Sequence, residues 1–109
     1  MTYTFIPNVA AELEIPVDGT LSRVLYRDER VRVVGFAFDA GQELTEHTAA
    51  VPALVEVVSG LIRVTLAADT HEVGPGGWLR MDAQLAHSVV AIEPSIMLLT
   101  MLPGPRGGA

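Results

Sequence analysis

The side chains with which this chain can do chemistry are few, because several reactive residue types are missing. The 109 residues include no cysteine and no lysine, so all seven basic residues are arginines. Thiolate catalysis, cysteine-based zinc sites and Schiff-base chemistry are therefore excluded. The sequence also has no Gly-x-Ser-x-Gly motif and no glycine-rich loop that ends in lysine. Any catalytic activity must come from a bound metal, from His47 and His87 as acid and base, or from Glu43.

The spacing of glycines and histidines carries the strongest functional signal. The sequence reads Gly41-x5-His47, then Gly60, then Gly76-x10-His87. These intervals resemble the two motifs of the cupins, a family of small β-barrels that usually bind a metal. In that family the first motif supplies His-x-His and then a Glu before a turn glycine, and the second motif supplies a final His. The resemblance implies that His47 and His87 are metal ligands inside a barrel.

Half of the ligand set that this resemblance implies is absent. The second His position is Ala49 and the Glu position is Ala53. Two imidazoles seldom hold a divalent ion tightly without further protein ligands, so one transition metal (Fe, Mn, Ni or Zn) would need water or substrate to complete its shell. Two interpretations stay open. His47 and His87 are either hydrogen-bonded pocket histidines in a barrel without metal, or the protein part of a metal site.

Strand alternation identifies which carboxylates can replace the missing donors. Glu43 and His47 are an even number of residues apart, so they are expected to share a face, with Glu43 at the barrel mouth as a ligand or general base. The alternative for Glu43 is a solvated carboxylate beside a turn. Glu56 is expected to face outward, because its neighbour Val55 belongs to the inward set. An outward Glu56 is predicted to pair with Arg80.

The rest of the pocket is predicted to be apolar. We expect a bound molecule to contact Glu43, Phe38 (or Phe36), Val55 and Met81. Trp78 is expected to face outward, where it anchors a subunit contact or covers the barrel edge.

The remaining pattern predicts an all-β fold. Turn signals recur about every 8–12 residues, and Val, Ile, Leu, Phe and Thr dominate the segments between them, as in a sandwich or barrel. The resemblance narrows this to the cupin double-stranded β-helix, a jelly-roll barrel. We expect an N-terminal segment (1–20) that packs on the barrel or on a partner subunit, the barrel itself (21–102) and a flexible tail (103–109).

Charge and hydropathy restrict the partners. The net charge of −6, without a basic stripe, argues against nucleic acid. No signal peptide is evident, and the longest apolar run, 96–102, is too short to span a membrane, so a cytoplasmic location is expected. The segments 31–38 and 96–102 are apolar on both faces, which predicts a homodimer or cover by the N-terminal segment.

These observations favour a small-molecule-binding cupin barrel whose pocket is marked by two histidines. A metal-dependent enzyme, dioxygenase- or isomerase-like by family resemblance, is the alternative. A module that only mediates association is a third possibility. The sequence leaves the ligand and the enzymatic status open.

Overall fold

The computed structural model describes residues 2–103, which form nine β-strands preceded by one short 3-10 helix at Val9–Glu12. Of the predicted flexible tail (103–109), all but Pro103 lies outside the described residues. Within residues 2–103, no helix is long and apolar enough to cross a membrane. The strands are β1 (Thr20–Arg27), β2 (Arg32–Phe38), β3 (Glu43–His47), β4 (Ala53–Ser59), β5 (Ile62–Leu66), β6 (Asp69–Val73), β7 (Trp78–Met81), β8 (His87–Ala91) and β9 (Ser95–Met101).

The strands form two antiparallel sheets. One sheet has the order β1-β2-β9-β4-β7 and the other has the order β3-β8-β5-β6. Strands that are distant in sequence are neighbours in both sheets, as in a jelly roll. This confirms the predicted all-β barrel, and it brings β3 and β8, the two strands that carry the predicted histidines, side by side.

The inner faces of the two sheets make one apolar core, in which alternate residues of each strand are buried. On β4 the residues Ala53, Val55 and Val57 are buried while Glu56 is exposed, so the predicted outward direction of Glu56 is confirmed. The predicted Glu56–Arg80 ion pair is wrong, because the Arg80 guanidinium pairs with the Asp82 carboxylate two residues along its own chain. The core consists of Phe38, Ala53, Val55, Val57, Ile62, Val64, Met81, Val89, Ala91 and Met97.

The three glycines of the sequence motif share one backbone property. Gly41, Gly60 and Gly76 have φ values of 83°, 85° and 86°, in the left-handed region that other residues rarely adopt. At Gly60 a Cβ atom would also overlap the Ser95 hydroxyl and the Pro94 carbonyl oxygen. The Ser95 side chain is fully buried, and its oxygen accepts the Leu61 N–H at 3.0 Å. The turn after β4 therefore fits tightly against the start of β9.

The N-terminal segment covers part of the outer face of the five-stranded sheet. Leu13, only 1% exposed, packs with Ala37 of β2 and Ile96 of β9 in a second apolar cluster. Leu13 also lies directly on Gly35, where any Cβ would overlap its methyl groups. The segment 31–38 is thus apolar on both faces because one face meets the core and the other meets the N-terminal segment.

Candidate functional site

The two predicted histidines form a cross-strand pair. In the register of β3 and β8, His47 lies directly opposite His87. Directly opposed residues of antiparallel strands share a face and come close, and here the two ring centroids are 4.2 Å apart with a tilt of 59°. Residues separated by forty positions in the chain therefore occupy one site.

An irregularity in β3 decides which residues accompany His47. The pairing with β8 shifts register between Leu44 and His47, so both of these side chains line the same cavity although three positions separate them. Glu43 is exposed, pairs with Val90 and is not among the residues that line the cavity. The expectation that Glu43 shares the face of His47 is wrong, because simple alternation does not hold across the bulge.

The cavity between the sheets is small and almost entirely apolar. Its volume is about 40 Å³, room for about three waters at 10–15 Å³ each, so it accepts only a few non-hydrogen atoms. Val55 and Met81 lie in its wall, as expected. Phe38 does not line it: Phe36 does, and Phe38 is fully buried and stacked on Phe36 with centroids 5.9 Å apart. The lining residues are Phe36, Leu44, His47, Val55, Val64, Met81, His87, Val89, Met97 and Leu99.

Both imidazoles are held by the same local hydrogen bond. The Nδ1 atom of His47 lies 2.8 Å from the Thr45 carbonyl oxygen, and the Nδ1 atom of His87 lies 2.8 Å from the Leu85 carbonyl oxygen. A backbone carbonyl only accepts, so Nδ1–H is the donor in each case. In the neutral rings Nε2 is then the nitrogen with the free lone pair. The site therefore offers two hydrogen-bond acceptors, or two nitrogen ligands, side by side.

The two histidines differ in exposure. His87 is 7% exposed, within the alternating buried set of β8, whereas His47 is exposed at the end of β3. His87 is thus the buried member of the pair and His47 the member in contact with solvent.

The two positions at which the resemblance implies the other ligands, Ala49 and Ala53, carry no donor side chain. Ala53 points into the core at 2% exposure, and Ala49 lies in the loop between β3 and β4. In the described part of the chain no group of three or more His, Cys, Asp or Glu side chains is arranged to hold a metal ion. The protein donors at this site are two imidazoles, fewer than the three or four of typical metal centres.

A backbone contact joins two loops on the side where His47 is exposed. The Gln84 N–H donates to the Ala49 carbonyl oxygen at 2.7 Å, and Gln84 has a φ of 69°. The Gln84 backbone therefore lies in the left-handed region, which favours glycine, although the residue is not a glycine. This contact was not predicted from the sequence.

Several lining residues were not predicted from the sequence, among them Leu44, Val64 and Val89. Val89 could have been predicted, because it is two residues from His87 on the same strand and must share its face. Leu44 could not have been predicted, because its inward direction depends on the bulge.

Comparison with known proteins shows the fold. No protein-family model matches the sequence, and no curated protein matches it. Solved structures match strongly. A conserved protein of unknown function from Streptococcus pyogenes superposes with a TM-score of 0.85 at 28% identity, over 96% of this chain and 92% of that one. A cupin superfamily protein from Desulfitobacterium hafniense gives 0.84 at 21%, covering 95% and 94%. An RmlC-like cupin from Shewanella frigidimarina gives 0.75 at 19%, covering 85% and 84%.

Proposed function

Since the chain has the jelly-roll barrel of the small RmlC-like cupins, we propose that it binds a small molecule between its two sheets, with His47 and His87 as the polar contacts. The observation that carries this proposal is the cross-strand pair of imidazoles, 4.2 Å apart, in an otherwise apolar cavity. Binding sites for small molecules commonly combine apolar walls with very few fixed polar groups. Here the polar groups are fixed by their Nδ1 hydrogen bonds.

The chemistry of the pocket limits the ligand class. Eight of the ten lining residues are apolar, and the two imidazoles offer acceptors at Nε2 when they are in the neutral form. The ligand must then supply the donor, an O–H or N–H group on a mainly apolar body. The volume of about 40 Å³ admits only the end of such a molecule, so a larger ligand extends past the exposed His47 into solvent.

A thermal-shift screen with paired compounds tests this proposal. Each pair consists of a small phenol or enol and its methyl ether, which keeps the shape and loses the donor. A compound that binds the folded state raises the melting temperature by mass action. We expect stabilisation by the O–H members, none by the ethers, and loss of the shift in His47→Ala and in His87→Ala.

The chain supplies a matched control for this screen. His71 on β6 is exposed and does not line the cavity, so His71→Ala should keep the full shift. Shifts of equal size for ethers and phenols, or shifts that survive both cavity substitutions, would contradict the proposal.

A metal-dependent enzyme is the second candidate, and one observation favours it. Metal-binding histidines usually donate their other ring N–H to a carbonyl or carboxylate, as both Nδ1 atoms do here. The set nevertheless stops at two nitrogens, so the residues present do not fit a metal site formed by protein ligands alone. We derive no reaction step through a metal. Dioxygenase- or isomerase-like chemistry rests on analogy of fold.

Elemental analysis of protein purified without an affinity tag separates the two candidates. Stoichiometric Fe, Mn, Ni or Zn that is lost in His47→Ala would support the enzyme. Under the first proposal, ligand-induced stabilisation is the same with and without a chelator. Calorimetric titration of the apo-protein with Zn²⁺ adds a readout that needs no activity.

A further inference from the structure

The strand connections show which residues of the five-stranded sheet lie at the same end of the barrel as the two histidines. β3 ends at His47, and a short loop leads from it to Ala53, the first residue of β4. A second short loop leads from Met81, the last residue of β7, to His87, the first residue of β8. Ala53 and Met81 therefore lie at this end of the barrel, which we call the histidine end.

A row of directly opposed residues crosses the five-stranded sheet at the histidine end. From β1 to β7 its members are Arg27, Arg32, Met101, Ala53 and Met81. Directly opposed residues of antiparallel strands share one face of the sheet. Ala53 and Met81 are 2% and 4% exposed and belong to the core, so this face is the inner one. The row thus places two arginines on the inner face, on β1 and β2.

Arg32 lies at the rim of the cavity that contains the histidines. Its row includes Met81, which lines the cavity, and the next row, about 7 Å away, includes Leu99, which also lines it. β2 continues through a turn at the opposite end of the barrel into β3, so Arg32 and His47 both lie at the histidine end, on consecutive strands. Because an arginine side chain is long and flexible, a group that leaves the cavity past His47 lies within its reach.

The charge at this rim favours an anion. Arg27 and Arg32 are directly opposed and both exposed, and like charges in this relation repel each other. The ion pairs between residues of the described range 2–103 involve other arginines. In the turn between β1 and β2, the Asp28 carboxylate accepts the Tyr26 hydroxyl and two backbone N–H groups. A bound anion between the two arginines would offset their repulsion, in a chain whose net charge is −6.

We propose that Arg32, with Arg27 beside it, binds a carboxylate of the same ligand whose O–H group contacts the two histidines. The ligand class is then a hydroxy acid with an apolar body, such as a phenolic acid. A guanidinium group binds a carboxylate through two parallel N–H bonds, which orients the ligand as well as attracting it. The inference rests on the proposed function, because it needs the O–H end of the ligand in the cavity. That cavity, of about 40 Å³, holds only one end of the molecule, so the acid group lies outside it, at the rim.

Calorimetric titration with three matched compounds tests the inference. The acid para-hydroxyphenylacetate carries both groups, its amide para-hydroxyphenylacetamide lacks the charge, and para-methoxyphenylacetate lacks the O–H group. We expect the native chain to bind the acid about 5- to 10-fold more tightly than the amide, as an ion pair at an exposed position allows, and this preference to shrink at high salt. In Arg32→Gln the preference should fall below about 2-fold, with the affinity for the amide unchanged. The methoxy compound should bind more weakly than the acid in both proteins.

Arg63→Gln is the matched control for Arg32→Gln. Arg63 lies between the buried Ile62 and Val64, so it faces outward and should leave the preference for the acid intact. Arg32→Gln removes one of two opposed like charges, so its melting temperature should not fall, which circular dichroism checks. Equal affinities of the native chain for acid and amide, or equal weakening of both by Arg32→Gln, would overturn the inference and leave the proposed function standing. Binding of neither compound would overturn both.

Discussion

The two faces of the five-stranded sheet use the same strands for opposite purposes. On β2 the inward residues are large, with Phe36 and Phe38 stacked against the core, whereas the outward Gly35 and Ala37 are small and admit Leu13. The inner face surrounds a cavity of about 40 Å³, whereas the outer face has an open groove of about 440 Å³ between the N-terminal segment and the β1–β2 pair. The two faces therefore differ both in the size of their side chains and in how far they are enclosed.

The substitution with the largest expected effect destabilises the whole fold, and with it both faces of the sheet. Gly60→Ala introduces a side chain at φ 85° and against the start of β9, so the backbone must move. We expect a loss of about 3–5 kcal/mol in the free energy of unfolding, since left-handed strain and overpacking combine. Chemical denaturation measures it.

The matched control for Gly60 is Gly41→Ala. Gly41 has nearly the same φ, 83°, but a Cβ there meets nothing within 4 Å. It should lose only about 1–2 kcal/mol. Equal losses in the two variants would show that the contact with Ser95 and Pro94 is not what makes Gly60 necessary.

Leu13→Ala should damage the outer face alone. Leu13 is 1% exposed, and its truncation is expected to cost about 3 kcal/mol because half-buried neighbours close the cavity only in part. The free energy of unfolding is the readout, with Val17→Ala as the control, since Val17 is 88% exposed and should change stability by less than about 0.5 kcal/mol. Stabilisation by the phenols should persist in both; its loss in Leu13→Ala would show that the faces are not independent.

Gln84→Gly should stabilise the fold. Glycine removes the left-handed strain at φ 69° and keeps the N–H bond to Ala49, so we expect a net gain of about 0.5 kcal/mol after the entropic cost of glycine. Gln42→Gly, at a residue outside the left-handed region, should instead lose about 0.5–1 kcal/mol. Thermal denaturation of the pair measures the difference, and a loss in both variants would refute the strain at Gln84.

The smallest expected effect concerns acid stability beside the outer groove. The hydrogen bond from Tyr26, followed by those from the N–H groups of Arg30 and Val31, lowers the pKa of Asp28. A carboxylate whose pKa is lowered on folding contributes stability above its unfolded pKa, and this contribution is lost as pH falls through the folded pKa. The melting temperature of Asp28→Asn should therefore lie below that of the native chain at neutral pH and converge with it in acid. A constant difference across pH would contradict this.

The sequence predicted the barrel well because the signals for its turns and strands are local. The three motif glycines mark left-handed turns, and the alternation on β4 correctly separates Val55 from Glu56. Strand alternation predicted the wrong face for Glu43, because one irregular pairing in β3 reverses the faces and no residue type in that strand marks the irregularity. The prediction of a Glu56–Arg80 ion pair was wrong for another reason. Asp82 is nearer to Arg80 along the chain and takes its place as the partner.

The remaining properties could not be predicted from the sequence, because they depend on how distant segments are placed relative to one another. Ring separation, the burial of His87 and the groove beside Tyr26 all depend on how β2, β3 and β8 are placed by the whole barrel. The metal ligands that the resemblance implies can be checked in the sequence residue by residue. The acceptor character of the two rings could not be predicted, because it depends on the carbonyl oxygen that each Nδ1 atom contacts.

The central claim is that both imidazoles at the pocket expose Nε2 as an acceptor. Long-range ¹H–¹⁵N NMR of the neutral rings tests it directly, because the protonated nitrogen and the lone-pair nitrogen have distinct shifts. We expect His47 and His87 to carry the proton on Nδ1, held by Thr45 and Leu85, and the Nε2 signals to move when an O–H ligand is added. A proton on Nε2 in either ring would contradict the proposed site.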